Sequence, residues 1–223
     1  MLQPITLNPE GLTLAELVEL FGPMPAHRIR HTPAPGTATE EDWLELSERG
    51  EKLLELVEGV LVEKPMGHFE SRLAVILAHL IESYLDRHPL GFVVGPDGMT
   101  RYVPGLIRAP DVAFTLWDRM PNRRVPRDPL PDLVPDLAVE ILSKSNTKKE
   151  MDRKRREYFE AGGRLVWYVQ PKTMTATVYT SLDDETLIGS DGSLEGGGIL
   201  PGFSVSLREW FRRAEEPPVP GNG

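Results

Sequence analysis

The sequence predicts an α/β or α+β fold, one sheet flanked by helices, and three observations carry that expectation. The order of patterns along the chain is hairpin, helix, strands, helix, strands. The run Leu137-Ala-Val-Glu-Ile-Leu142 is apolar on both faces except for one carboxylate, as in a strand covered on both sides. No internal repeat with a period of about 20–50 residues points to a solenoid or propeller instead.

The first element is a short amphipathic helix over Thr13–Phe21, with Leu14, Leu17, Val18 and Phe21 on one side. The Pro-, His- and Gly-rich stretch from Gly22 to Gly36 reads as a linker. Thr39, followed by Glu40, Glu41 and Asp42, marks the start of a second helix. The β-rich runs Leu53–Val57 and Val60–Glu63 are separated only by Glu58 and Gly59, which predicts a tight hairpin. From Phe69 the spacing turns helical, with Phe69, Leu73, Ile76, Leu77, Leu80 and Tyr84 on one stripe and a stop near Pro89 to Gly91.

Strands are expected at about 92–94, 100–103, 110–115 and 137–142, with a Pro- and Arg-rich excursion from Met120 to Pro135. Thr147 and Glu150 have the spacing of a capping box, and the helix they open runs to Ala161-Gly-Gly163. Two more strands follow at Leu165–Val169 and Thr175–Tyr179. Beyond Leu182 the chain reads as turn-rich, ending in Phe203–Phe211 and a Pro/Gly tail. The expected organisation is an N-terminal extension and linker over 1–38, one domain over 39–212, and a disordered tail over 213–223.

Composition narrows the functions. With 223 residues, 40% of them hydrophobic, the chain can build one good-sized core. It has no cysteine, which excludes disulfides and thiolate-held metals. No stretch approaches the roughly 20 apolar residues of a membrane span. The N-terminus lacks the basic and apolar segments of a signal peptide, so a cytoplasmic location is expected. The net charge of −9 is unevenly spread: residues 1–63 hold 12 acids and 4 bases, residues 181–223 hold 8 and 3, and residues 64–180 hold 14 and 18. The centre is basic between acidic ends, and a DNA-binding face needs only such a local patch.

Three residues resist explanation as packing. Glu140 is the lone acid of a doubly covered strand, costly there unless paired or metal-bound. Asp111 follows Pro110 at the start of another buried strand. Lys154 shares the inward helical stripe of Met151 and Tyr158, while Arg153, Arg155 and Arg156 can point to solvent. Each has a bland alternative: a structural ion pair, an ordinary turn residue, a snorkelling lysine. Together, two carboxylates at the ends of adjacent strands can hold one hard divalent cation, and a nearby ammonium can steady the charge that develops on a phosphoryl group.

The same residues resemble the PD-(D/E)xK nuclease superfamily, and residues from about 39 to 210 resemble its Uma-type restriction endonuclease family. The resemblance is carried by Glu55-Leu-Val-Glu-Gly59, His68 at a helix start, and Ala109-Pro-Asp111. It continues through Val139-Glu-Ile-Leu-Ser143, Lys154 with Tyr158, Ala161-Gly162 and Val166-Trp-Tyr-Val169. It implies a restriction-endonuclease-like central mixed β-sheet flanked by helices, Mg²⁺ dependence with Mn²⁺ as a substitute, DNA as substrate and a homodimer. Asp111 and Glu140 are the implied metal ligands, with Lys154 the assisting lysine and Glu55 and His68 accessory residues. The position two after Glu140 is Leu142 rather than the superfamily's lysine, which leaves Lys154 on the following helix, or Lys144 in the loop, to supply it. The alternative is a catalytically silent nuclease fold that binds DNA or serves assembly; it predicts a damaged acid or lysine, and all three are present.

Overall fold

The computed structural model describes residues 7–8, 10–50, 53–65 and 67–216. Helices start where the sequence supplies caps. Thr13, Thr39 and Thr147 each accept from the backbone N–H three residues on, and Glu16, Asp42 and Glu150 return the bond in a capping box. These caps open α1 (Leu14–Phe21), α2 (Glu40–Glu48) and α4 (Lys148–Glu160). Between α2 and α4 lie the hairpin β1 (Leu54–Val57) and β2 (Val60–Glu63), then α3 (His68–Leu85). The hairpin turn has φ 49° at Glu58 and 70° at Gly59, the backbone a two-residue turn requires. A side chain at position 59 would also run into the carbonyl of Gly36.

Next come β3 (Gly91–Val94), β4 (Thr100–Val103), β5 (Leu106–Arg108), β6 (Val112–Leu116) and β7 (Leu137–Ile141). After α4 follow β8 (Leu165–Gln170), β9 (Thr175–Tyr179), β10 (Glu185–Ile188), β11 (Ser193–Glu195), β12 (Ser204–Ser206) and α5 (Leu207–Glu215). The main sheet has the order β10-β9-β8-β7-β6-β3. β7 and β8 run parallel, joined by α4, while the other neighbours are antiparallel, so the sheet is mixed. The smaller sheet, β2-β1-β5-β4, carries the hairpin.

One face of the main sheet packs on α3 and α5 through Val139, Trp167, Leu73, Leu77 and Trp210. Trp210 Nε1 donates to the Leu73 carbonyl at 3.1 Å, tying α5 to α3. The other face, with Ala138, Val166 and Tyr168, meets Met151 and Tyr158 of α4 and part of the hairpin. Side chains alternate along β7, so Glu140 shares the α4-facing side with Ala138.

The structure differs from expectation at β5, which falls outside the expected strands, and in two longer regions. The stretch 22–36 is packed rather than a loose linker: Ile29 bridges Val62, and Arg28, 2% exposed, binds Glu150 at 2.7 and 3.0 Å. Arg28 also donates to the carbonyls of Glu63 and Ser145, which satisfies its buried guanidinium. Beyond Leu182 the turns enclose three short strands and the last helix continues to Glu215; the tail from 217 to 223 lies outside the described residues.

Candidate active site

The site forms where β6 begins and β7 ends. Pro110 donates no hydrogen bond, and the chain joins β7 at the next residue, where Asp111 N–H donates to Val139 O at 2.8 Å. The Asp111 carboxylate then reaches across: its Oδ2 accepts from Ile141 N–H at 2.6 Å. Asp111 is thereby fixed beside Glu140, each of them 4% exposed.

Lys154, 2% exposed, enters from α4 and places Nζ 3.1 Å from Glu140 Oε1 and 3.0 Å from Glu55 Oε1. One helical turn on, Tyr158 Oη donates to the same Glu140 oxygen. Glu55, on β1, is the most buried acid of the group at 1% exposed, and its Oε2 lies 2.6 Å from Arg108. Arg108 in turn holds Glu157 through Nε at 2.8 Å and Nη2 at 2.6 Å. Glu55 is therefore no solvated hairpin acid; it is a hub between lysine and arginine.

Burial and neighbouring charge act against each other here. Burial alone would raise the Glu55 carboxyl, but Lys154, then Arg108 and Lys64, outweigh it and hold it at about 2. For Glu140 burial prevails: its carboxyl lies above the ordinary value, with Lys154 and Lys64 pulling down and Asp111 and Glu55 pushing up. Burial works to deprotonate Lys154, yet Glu140 and Glu55 raise it above its ordinary value. Tyr158 is pushed well up by burial and by Glu140, so it stays a proton donor.

The structure thus brings Asp111, Glu140, Lys154 and Glu55 together. His68 is the first residue of α3 and exposed, and no hydrogen bond joins it to the cluster among the described residues. Lys144 lies in the exposed loop after β7. The loop bearing Arg123, Arg124 and Arg127 leaves the end of β6 opposite Asp111. On α4, Arg153 is engaged by Glu58 and Glu157, and Arg155 by Asp152 and Glu185, so neither is a free surface cation.

Sequence reasoning missed Lys64 and Arg108. Arg108 had a faint signal, a charged residue ending the apolar pair Leu106-Ile107. Lys64 had none, because its partner Asp111 is remote in sequence. Lys64 Nζ lies 2.9 Å from Asp111 Oδ1 and also donates to the Ala109 carbonyl.

Asp111 and Glu140 carry the kind of oxygens that could hold a hard divalent cation that keeps several waters. Asp111 precedes β6 and Glu140 lies on β7; Glu140 Oε2 carries no hydrogen bond among the described residues, while Ile141 N–H and Lys64 engage the two Asp111 oxygens. Tyr102 Oη is buried without a partner among the described residues, within electrostatic reach of Glu140 and Glu55. Among the described residues no group of three or more His, Asp or Glu is arranged to hold a metal by itself.

A mixed six-stranded sheet with α4 crossing between its parallel strands and α3 and α5 on the opposite face is a restriction-endonuclease-like fold. The chain belongs to the Uma2 family, described as "Putative restriction endonuclease", whose model matches residues 40–208. Its structure is similar to that of a "putative nuclease belonging to DUF820" from Anabaena variabilis, with a TM-score of 0.67. The two are 18% identical, and the match covers 79% of this chain and 98% of the other. That likeness establishes the fold. No curated protein sequence matches the chain. Among the described residues no helix is long and apolar enough to cross a membrane.

Proposed function

We propose that this protein is a metal-dependent endonuclease that hydrolyses phosphodiester bonds in DNA, with Asp111 and Glu140 as ligands to Mg²⁺ or Mn²⁺. The observation that carries the proposal is the buried Lys154 ammonium held between Glu140 and Glu55, at 3.1 and 3.0 Å, with Asp111 bound to Ile141 next to Glu140. Burial and pairing give this ammonium a structural role. Beside two strand-end carboxylates it also has a chemical use.

When bound, the cation supplies an acidified water and neutralises negative charge on the phosphate. The protein's own groups do the rest. Lys154 is held protonated by its two acids, so it acts as a fixed positive charge and donor rather than as a base. Tyr158 and Lys154 both bind Glu140 Oε1, which fixes that carboxylate and turns Oε2 away from their bonds. Glu55 holds Lys154 from behind and is itself fixed by Arg108, so both are positioning residues. Lys144 and Lys149 are exposed at the end of the sheet where β7 finishes and can meet phosphate backbone, while Lys148 beside them is paired with Asp152.

Cytoplasmic location and a homodimer belong to the same proposal; Leu14 and Val18, exposed on α1, are the apolar surface offered for pairing. The test is incubation of purified protein with plasmid and linear DNA in Mg²⁺, Mn²⁺ or EDTA, beside Asp111→Ala and Glu140→Gln. Cleavage that needs the ion and disappears in both variants supports the proposal. A folded protein that binds neither metal nor DNA would replace it with the silent assembly module.

A further inference from the structure

We infer that Lys64 is the resident counter-ion of Asp111, occupying the place of the divalent cation until the ion displaces it. The inference rests on the metal-dependent proposal above and concerns a residue that proposal does not use.

Lys64 follows β2 directly, and its side chain is 3% exposed although the chain around it, at Glu63, Pro65 and Gly67, is only half-buried. Its ammonium sits 2.9 Å from Asp111 Oδ1 and donates to the Ala109 carbonyl. A carboxylate oxygen and a main-chain carbonyl are the kinds of oxygen that a hard dication selects. Lys64 also acts electrostatically on Glu140 and Glu55, so one ammonium serves every acid of the cluster.

Charge balance says which group must move. Asp111, Glu140 and Glu55 face Lys64 and Lys154, while Arg108 is shared with a fourth acid, Glu157. Adding a dication to both lysines leaves a buried excess of positive charge, which the interior tolerates poorly. Removing one ammonium restores balance. Lys154 is anchored in the middle of α4 by two carboxylates. Lys64 has one carboxylate partner, a flexible four-carbon stem and a partly exposed chain segment from which to swing out.

The test titrates Mn²⁺ calorimetrically into the full-length wild type and Lys64→Met in metal-free buffer. The variant should bind about tenfold more tightly, because no buried ion pair has to be broken first. Equal or weaker binding by the folded variant overturns the inference while leaving the metal proposal intact. No binding by either protein overturns both. Reductive methylation of the wild type, read by mass spectrometry, tests the same point without a substitution. Lys64 should be protected in EDTA and labelled several-fold faster with saturating Mn²⁺, while Lys154 stays protected throughout. Equal protection of Lys64 in the two states contradicts its displacement.

Discussion

Lys154 Nζ and Glu140 Oε1 lie 3.1 Å apart, although one belongs to a helix and the other to a strand buried within the sheet. Neither group could remain charged there alone, since an unpaired buried ion costs several kcal/mol. The pair is held from three sides: Tyr158 binds the same Glu140 oxygen, Glu55 binds Lys154, and Arg108 binds Glu55.

Glu55→Gln should cost about 3 kcal/mol of stability at neutral pH, because Lys154 and Arg108 would lose a buried partner. The cost should also depend on pH. The folded carboxyl is lowered from its ordinary 4.5 to about 2, so its contribution is complete above 4.5 and disappears as pH falls toward 2. Glu140 shifts the opposite way, so wild type alone mixes two trends. The difference between wild type and Glu55→Gln, from urea unfolding in EDTA at pH steps across that window, should shrink steadily as pH drops.

Tyr158→Phe removes the hydroxyl that binds Glu140 while leaving the ring in the core. The expected loss is about 1.5–3 kcal/mol, the range for a hydrogen bond to a charged group. Cleavage should fall by about tenfold, since Glu140 keeps Lys154 but loses its second restraint. Thermal unfolding and single-turnover cleavage check the two parts separately.

Arg28→Met should destabilise by about 3–5 kcal/mol, because it leaves Glu150 buried without its cation. Glu150→Gln should cost less, since the amide can still accept from Thr147 N–H and Arg28. In a double-mutant cycle followed by urea unfolding, the pair should couple by about 2 kcal/mol. That coupling would establish that the 22–36 segment is part of the folded body.

How far the sequence disclosed this arrangement can be judged residue by residue. The hairpin was legible because Glu58-Gly59 leaves few turn geometries, and α4 because Thr147 and Glu150 form a capping box. Glu140 stood out as the single acid in an apolar run, and Lys154 through its spacing to Met151 and Tyr158. Lys64 was not legible, and Arg108 only faintly so, because an ion pair between remote residues leaves no local pattern. β5 has only three residues, and β10 is largely exposed, so neither shows the apolar alternation that marks a strand. The 22–36 segment misled because Pro and Gly there serve packed turns, with one buried arginine as the anchor.

The most direct measurement is single-turnover cleavage of DNA by wild type, Lys154→Met and Lys144→Met, with Mn²⁺ affinity measured in parallel. Lys154→Met should retain metal binding and lose about 10²–10³-fold in rate, the scale of removing one charge-stabilising donor, while Lys144→Met stays near wild type. Cleavage that survives Lys154→Met and is lost in Lys144→Met would contradict the assignment of the buried lysine to catalysis.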